Sequence, residues 1–233
     1  HQRILKIHDD VVGIVKVFER KGGVYIPSSA RSIGQLRQAY GDYPLAAMSG
    51  NDGFIIQPPN GEDLIYYSDE RPEFSMLRQE VPTFLKGKAD TDYQEMDVYF
   101  QMLIDRDHPD RPKASEFFKE KQLEVEAISE CKMVIRDDPD SLSMEPYSNR
   151  GKGGVIQTML PMLGVKDPYI IVAGDGANDI PALKYAKSLG QAEATAIWVN
   201  KDGETECPEF ADIAVNGVEE MVALFRELVA YMK

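Results

Sequence analysis

Pro168 to Leu183 reads PYIIVAGDGANDIPAL, and the order of residue types in it decides the fold. The apolar run Tyr169 to Ala173 has the length and branching of a buried strand and stops at Gly174. Asp175 and Asp179 follow, and Pro181 opens the helical pattern ALKYAKSLG in the first turn, where a missing N–H costs nothing. Gly174 and Gly176 allow the bend and leave Asp175 at the carboxyl end of the strand, while Asp179 fits a helix N-cap. Two carboxylates and Asn178 within one turn are hard oxygen donors of the kind Mg²⁺ takes. The plain alternative is a strand-to-helix loop with an N-cap aspartate.

Upstream of this stretch, Asn149-Arg150-Gly151-Lys152-Gly153-Gly154 precedes a helix expected over Val155 to Leu163. A lysine at such a helix start can aim a compact positive charge at a bound phosphate, although the same residue in a glycine-rich turn is often only solvated. Downstream, a helix over Ile180 to Leu189, strands over Ala194 to Val199 and Ala211 to Val215, and a closing helix over Val218 to Met232 complete a parallel sheet with helices on both faces. Trp198 is expected on its core, and Glu219 and Glu220 suit the last helix dipole.

The first forty residues read as helix, strand, helix. Asp9 and Asp10 cap an amphipathic run with Val11, Val12, Val15 and Phe18, closed by Gly22-Gly23. A short strand over Val24 to Ile26 leads to Ser28-Ser29-Ala30-Arg31 and a helix over Ile33 to Tyr40. A hydroxyl beside the free N–H groups of a helix start can hold a phosphate oxygen, or simply cap the helix. Pro44 to Ile56 is a strand, a turn rich in Gly and Asn, and a strand.

In this order the motifs resemble those of the haloacid-dehalogenase-like phosphatases. The run GDGAND at 174–179 is similar to the family's fourth motif and Lys152 to its third, and Ser29-Ala30-Arg31 stands where the family has Thr-Gly-Arg or Ser-Gly-Arg. Ala30 departs from the usual Gly, and the spacing to Arg31 selects Ser29 over Ser28. The turn within 44–56 resembles the NGA-like turn that follows the second motif. The resemblance implies an α/β fold, a Rossmann-like doubly wound parallel core with an inserted α/β cap. It also implies a Mg²⁺-dependent phosphomonoester hydrolase working through an aspartyl phosphate. Lys152 and Asp179 would be catalytic, Asp175 and Asp179 would hold the metal, and Ser29, Ala30, Lys152 and Asn178 would bind the substrate phosphate.

Between the second and third motifs the pattern changes. Alternation over Asp63 to Ser68, Glu95 to Ile104, Ala127 to Arg136 and Leu142 to Tyr147, with helical stretches at Pro72 to Leu85 and Lys113 to Gln122, describes a separate α/β module. The expected domains are therefore 1–58 with 149–233 as core and 59–148 as insert. An insert there resembles the cap of the Cof-type, class IIB sugar-phosphatase branch, which implies a sugar phosphate as substrate. Asp105-Arg106-Asp107-His108 is read as a solvated loop within the insert.

The family's first strand ends in a DxDGT-like sequence whose first Asp attacks phosphorus and whose second is general acid and base. Nothing of that kind precedes residue 27. HQRILKIHDDVV resembles the linker that follows the motif, with His1 and His8 as linker histidines. The expectation is a strand and turn of ~10–20 residues ahead of His1; loss of the nucleophile is the alternative. A phosphomutase of the same fold and a non-catalytic phospholigand binder remain open.

Composition sets outer bounds. The chain has 233 residues, 43% hydrophobic, enough for a sizeable core, and 26 Lys and Arg against 39 Asp and Glu give a formal charge of −13. Such acidity disfavours nucleic acid and anionic membrane as partners, although a local basic pocket could still hold one phosphate, and the resemblance implies a small phosphorylated metabolite as partner. Cys131 and Cys207 are expected as reduced buried thiols, and no apolar run reaches transmembrane length, so a cytoplasmic monomer or homodimer is expected.

Overall fold

The structure is a computed structural model that describes residues 9–59, 64–66, 74, 77, 80, 81, 92–96, 99–129, 131–147, 151–200 and 207–232. The expected helix over 72–85 is left mostly outside these residues, as are His1, His8, Asn149 and Arg150. The chain divides into two compact units, His1–Ile65 with Arg150–Lys233, and Tyr66–Asn149.

In the first unit, α1 (Asp9–Arg20) and α2 (Ile33–Tyr40) are followed by β1 (Met48–Gly50), a 3₁₀ turn (Asn51–Gly53), β2 (Ile55–Gln57) and β3, whose residue Ile65 closes this part. Ser32, not Ser28 or Ser29, caps α2, exchanging hydrogen bonds with Gln35 in a reciprocal capping box. The strand expected over 24–26 is not formed. Only Ser28 bridges to Ser49, in parallel, with Ser49 N–H donating to the Pro27 carbonyl and Ser29 N–H to the Ser49 carbonyl.

Among the insert's elements, β4 (Asp92–Met96) and β5 (Tyr99–Leu103) form an antiparallel hairpin where the sequence pattern suggested one strand. The helix α3 (Arg111–Ser129) then runs past Gln122 and takes over residues 127–129, which had been read as strand; β6 starts only at Met133. β6 (Met133–Asp138) and β7 (Ser141–Pro146) complete a sheet of order β4-β5-β7-β6. Phe100, Met102, Leu142 and Met144 are fully buried, as are Ala114, Phe118 and Val125 of α3. Phe118 stacks on Phe100 at 5.8 Å between centroids. Residues 105–108 form a loop of turn and coil, as their composition suggests.

The chain returns through α4 (Gly151–Leu163), β8 (Ile170–Gly174), a 3₁₀ turn (Ala177–Asp179), α5 (Ile180–Leu189), β9 (Ala194–Asn200), β10 (Ile213–Asn216) and α6 (Gly217–Tyr231). β8 pairs in parallel with β9, and β9 with β10. The parallel strand–helix–strand order is the doubly wound pattern anticipated from the sequence. Leu183 and Ala186 of α5 pack on Ala194 and Ala196 of β9, with Ile170, Val172 and Trp198 against them. Trp198 also meets Phe210 edge-on at 5.4 Å. α1 packs on α6 through Phe18 and Phe225. Cys131 is buried, but Cys207 is exposed, against the expectation of two buried thiols; neither forms a disulfide among the described residues.

Candidate active site

Each side chain of the site is delivered by the end of a regular element. β8 ends at Gly174, and the turn behind it returns Asp179 across the strand end. A β-carbon on Gly174 would lie 2.3 Å from the β-carbon of Asp179, so only glycine lets that side chain fold back. The Asp179 carboxylate accepts hydrogen bonds on Oδ2 from the N–H groups of Asp175 (2.9 Å) and Gly176 (3.0 Å). It stands at the N-cap position of α5 but makes no side-chain cap bond to that helix. The N-cap reading of Asp179 is thus corrected: the turn amides and a buried lysine claim the carboxylate.

That lysine is Lys152, in the first turn of α4. It is 7% exposed, and its Nζ donates to Asp179 Oδ1 at 2.6 Å. A buried ammonium needs such partners to be tolerated at all. A second carboxylate, Asp52, lies 3.7 Å away on the opposite side of the chain order. Asp52 Oδ1 also accepts from Asn178 Nδ2 at 2.8 Å, and its own N–H donates to the Ser29 carbonyl at 3.0 Å. Lys152, Asn178 and Asp179 are therefore brought together as their motif order suggests, and Ser29 is joined to them through Asp52. Asp52 was missed. It occupies an Asn-Asp-Gly turn, and the sequence gives no signal beyond turn chemistry.

Ser28, Ser29, Arg31, Lys152 and Asp179 line one cavity of about 770 Å³, whose remaining wall is largely apolar, including Val24, Ile26, Val155 and Ile171. The cavity follows β8, which among the described residues pairs with β9 alone. Ser28 Oγ, Ser49 Oγ and both polar atoms of the Asn51 amide are buried with no hydrogen-bond partner among the described residues. Ser29 Oγ accepts the Arg31 N–H at 3.2 Å and keeps its hydroxyl proton for another acceptor.

For a cation, the donor set is asymmetric. Asp175 is exposed at the end of β8, whereas both Asp179 oxygens are engaged by Lys152 and the turn amides. Among the described residues no three His, Cys, Asp or Glu side chains converge as a metal cage. Mg²⁺ needs no such cage, since one or two carboxylates with water and phosphate oxygens suffice, and Asp175 fits that role.

A family model described as haloacid dehalogenase-like hydrolase matches residues 45–195, nearly two thirds of the chain. The chain belongs to that family. The match takes in Asp52, Lys152, Asp175, Asn178 and Asp179, and leaves Ser29 and Ala30 outside it. No curated protein matches the sequence. Among solved structures, the C-terminal domain of C. albicans trehalose-6-phosphate phosphatase aligns with TM-score 0.68 at 12% identity, over 99% of this chain and 87% of that one. A trehalose-6-phosphate phosphatase related protein aligns at 0.68 and 14%, over 97% and 89%. A Thermotoga maritima protein aligns at 0.60 and 15%, over 95% and 91%. At these identities the likeness establishes the shared haloacid dehalogenase-like fold, with its Rossmann-like core. Among the described residues no helix is long and apolar enough to cross a membrane.

Proposed function

We propose that this haloacid dehalogenase-like hydrolase is a Mg²⁺-dependent phosphomonoester hydrolase acting on a small sugar phosphate. The observation that carries the reading is Lys152: a buried ammonium held between Asp179 and Asp52 at the end of a parallel strand, on a cavity it shares with Ser29. Phosphoryl transfer asks for positioning and charge stabilisation more than for covalent chemistry, and a fixed cation facing a hydroxyl supplies both. Ser29 Oγ–H and the Ala30 N–H hold phosphate oxygens, Asn178 orients the phosphate, and Lys152 neutralises the charge that grows on it. Asp179 acts by keeping Lys152 in place.

Asp175 would hold Mg²⁺, with Asp179 and Asn178 supporting it from behind. Bound there, the ion would supply charge neutralisation for the phosphoryl group. The charge count favours this. Asp52, Asp175 and Asp179 outnumber Lys152 and Arg31, so a phosphate dianion meets a net negative site unless a divalent cation accompanies it.

The nucleophilic aspartate is carried on an extended segment that lies along the open edge of β8. Three features support that placement: the apolar wall of the cavity, the unpaired side of the strand, and the buried polar atoms of Ser28, Ser49 and Asn51. Its carboxylate attacks phosphorus, the sugar alcohol leaves with a proton from a general acid, and water then hydrolyses the acyl phosphate. The inserted unit Tyr66–Asn149 serves as the substrate-selecting cap, on its place between the second and third motifs. The sugar-phosphate class rests on that cap type, and two of the fold neighbours are a trehalose-6-phosphate phosphatase domain and a trehalose-6-phosphate phosphatase related protein.

Phosphate release from a panel of sugar phosphates, with and without Mg²⁺, tests the reading on the native full-length protein beside residues 1–233. Mg²⁺-dependent release by the native full-length protein is expected. Silence in both forms, with phosphate binding retained, would replace the hydrolase by a phospholigand-binding protein.

A further inference from the structure

Asp52 is the one charged member of the constellation that motif order does not supply, and the backbone goes to some expense to place it. Asn51, Asp52 and Gly53 take φ values of 50°, 52° and 94° in succession. Two non-glycine residues in a row in the left-handed region are strained, and Asn and Asp bear that strain better than other side chains. The turn is pinned on two sides. Asn51 N–H donates to the Arg31 carbonyl and Asp52 N–H to the Ser29 carbonyl. A β-carbon on Gly53 would sit 2.7 Å from the Gly151 carbonyl oxygen, so the turn presses on the start of the helix that carries Lys152.

The result is a single carboxylate oxygen at the meeting point of three segments far apart in sequence. Asp52 Oδ1 takes the Asn178 amide at 2.8 Å and faces Lys152 Nζ at 3.7 Å, and its side chain is only 14% exposed. The two distances rank the contacts: the bond to Asn178 is a formed hydrogen bond, and the approach to Lys152 is a looser ion pair. The geometry points to Asp52 as a positioning residue, one that fixes the acidic turn through Asn178 relative to the Ser29 loop and the Lys152 helix start. It touches no reacting atom in this assignment. Because its main hold is a hydrogen bond, an uncharged acceptor of the same shape keeps most of the effect.

The kinetic arm of this inference rests on the phosphatase reading; a spectroscopic arm does not. In the native full-length protein with Mg²⁺, Asp52→Ala should lower kcat by ~100-fold, the cost of a misplacement of about an ångström, with KM little changed. Asp52→Asn retains an acceptor for Asn178 and should recover most of that loss, which a purely electrostatic role towards Lys152 would not allow. Wild-type kcat in Asp52→Ala, or an Asp52→Asn as impaired as Asp52→Ala, overturns the assignment. Independently, the Asn178 side-chain amide pair, identified in ¹⁵N-edited spectra by its loss in Asn178→Ala, should shift and exchange faster with water in Asp52→Ala and stay near its wild-type position in Asp52→Asn. An Asn178 signal indifferent to Asp52→Ala also overturns it. Absence of hydrolysis in the wild-type protein would remove the phosphatase reading and leave the amide signal to decide Asp52.

Discussion

Lys152 in the first unit and Arg111 in the second are both buried cations, 7% and 6% exposed, and their surroundings differ in kind. Arg111 is consumed by the backbone around it: its guanidinium donates to the carbonyls of Ile104, Asp138 (2.6 Å) and Ser141 (2.8 Å) and to the Asp137 carboxylate. It ties Ile104, just past β5, to the β6–β7 hairpin, and only its buried Nε has no hydrogen-bond partner among the described residues. Lys152 has two carboxylates behind it and a cavity in front. Burial of a charge therefore does not by itself mark a functional group. What distinguishes the two is whether the terminal donors are spent on the fold, which suits the forked arginine, or held at a cavity, which suits the compact ammonium.

The largest effect expected from this contrast is on catalysis. Asp175→Asn should abolish Mg²⁺-dependent phosphate release, and Lys152→Ala should lower it by ~10³-fold, about 4 kcal/mol of transition-state stabilisation. Both should leave the far-UV spectrum and melting behaviour close to wild type, since Asp179 lines the cavity and water can replace the ammonium beside it. Wild-type turnover in Asp175→Asn would sink the metal assignment. A Lys152→Ala that loses only thermal stability would make Lys152 a second Arg111.

Arg111→Met should do the reverse. Removing the guanidinium leaves the carbonyls of Ile104, Asp138 and Ser141 without their donor, costing about 3 kcal/mol in urea denaturation, with kcat of the folded fraction retained. Next in size is Gly174→Ala. Its β-carbon cannot coexist with the present Asp179 side chain, so a loss of roughly 1–3 kcal/mol is expected together with lower kcat, because displacing Asp179 releases Lys152. A Gly174→Ala protein with wild-type kcat would mean that the Lys152–Asp179 bond is dispensable.

The core around these residues was legible because its signals are local. A strand over Tyr169 to Ala173, the glycine–aspartate turn and helix Ile180–Leu189 follow from apolar run, turn residues and Pro181, and the structure places the strand at Ile170–Gly174 and the helix at Ile180–Leu189. The β4–β5 hairpin was read as one strand because Asp97-Val98, between its two strands, carries no Gly, Pro or Asn to break the alternation. Ala127 and Ile128 read as the start of a strand yet lie in the last turn of α3, both exposed, as a continuation of the helix that buries Phe118 and Val125. Asp52 and the direction of Asp179 were beyond reach for another reason. Both are set by partners 27 to 126 residues away, and no local rule reports an ion pair at that separation.

The smallest effect separates a third way of burying a polar group. Tyr25 and Tyr40, in the same unit as Lys152, share a hydroxyl–hydroxyl bond of 2.6 Å and line the cavity as neutral phenols. Desolvation raises both pKa values above the ordinary 10.0; the neighbouring phenol raises that of Tyr40 further and partly offsets the rise in Tyr25. A phenol whose folded pKa lies above its unfolded one keeps its proton in the native state after the unfolded chain has begun to lose it. The native state then binds more protons than the unfolded state, so stability is intact below the unfolded value and falls as pH rises through about 10. Unfolding by urea at about pH 8 and about pH 11 should show a loss of roughly 1 kcal/mol from each such group. Tyr40→Phe removes one titrating group and should lose less on going to high pH than the wild type does. An equal alkaline loss in Tyr40→Phe would assign it to other groups, and the phenol pair would then join Arg111 as plain scaffold.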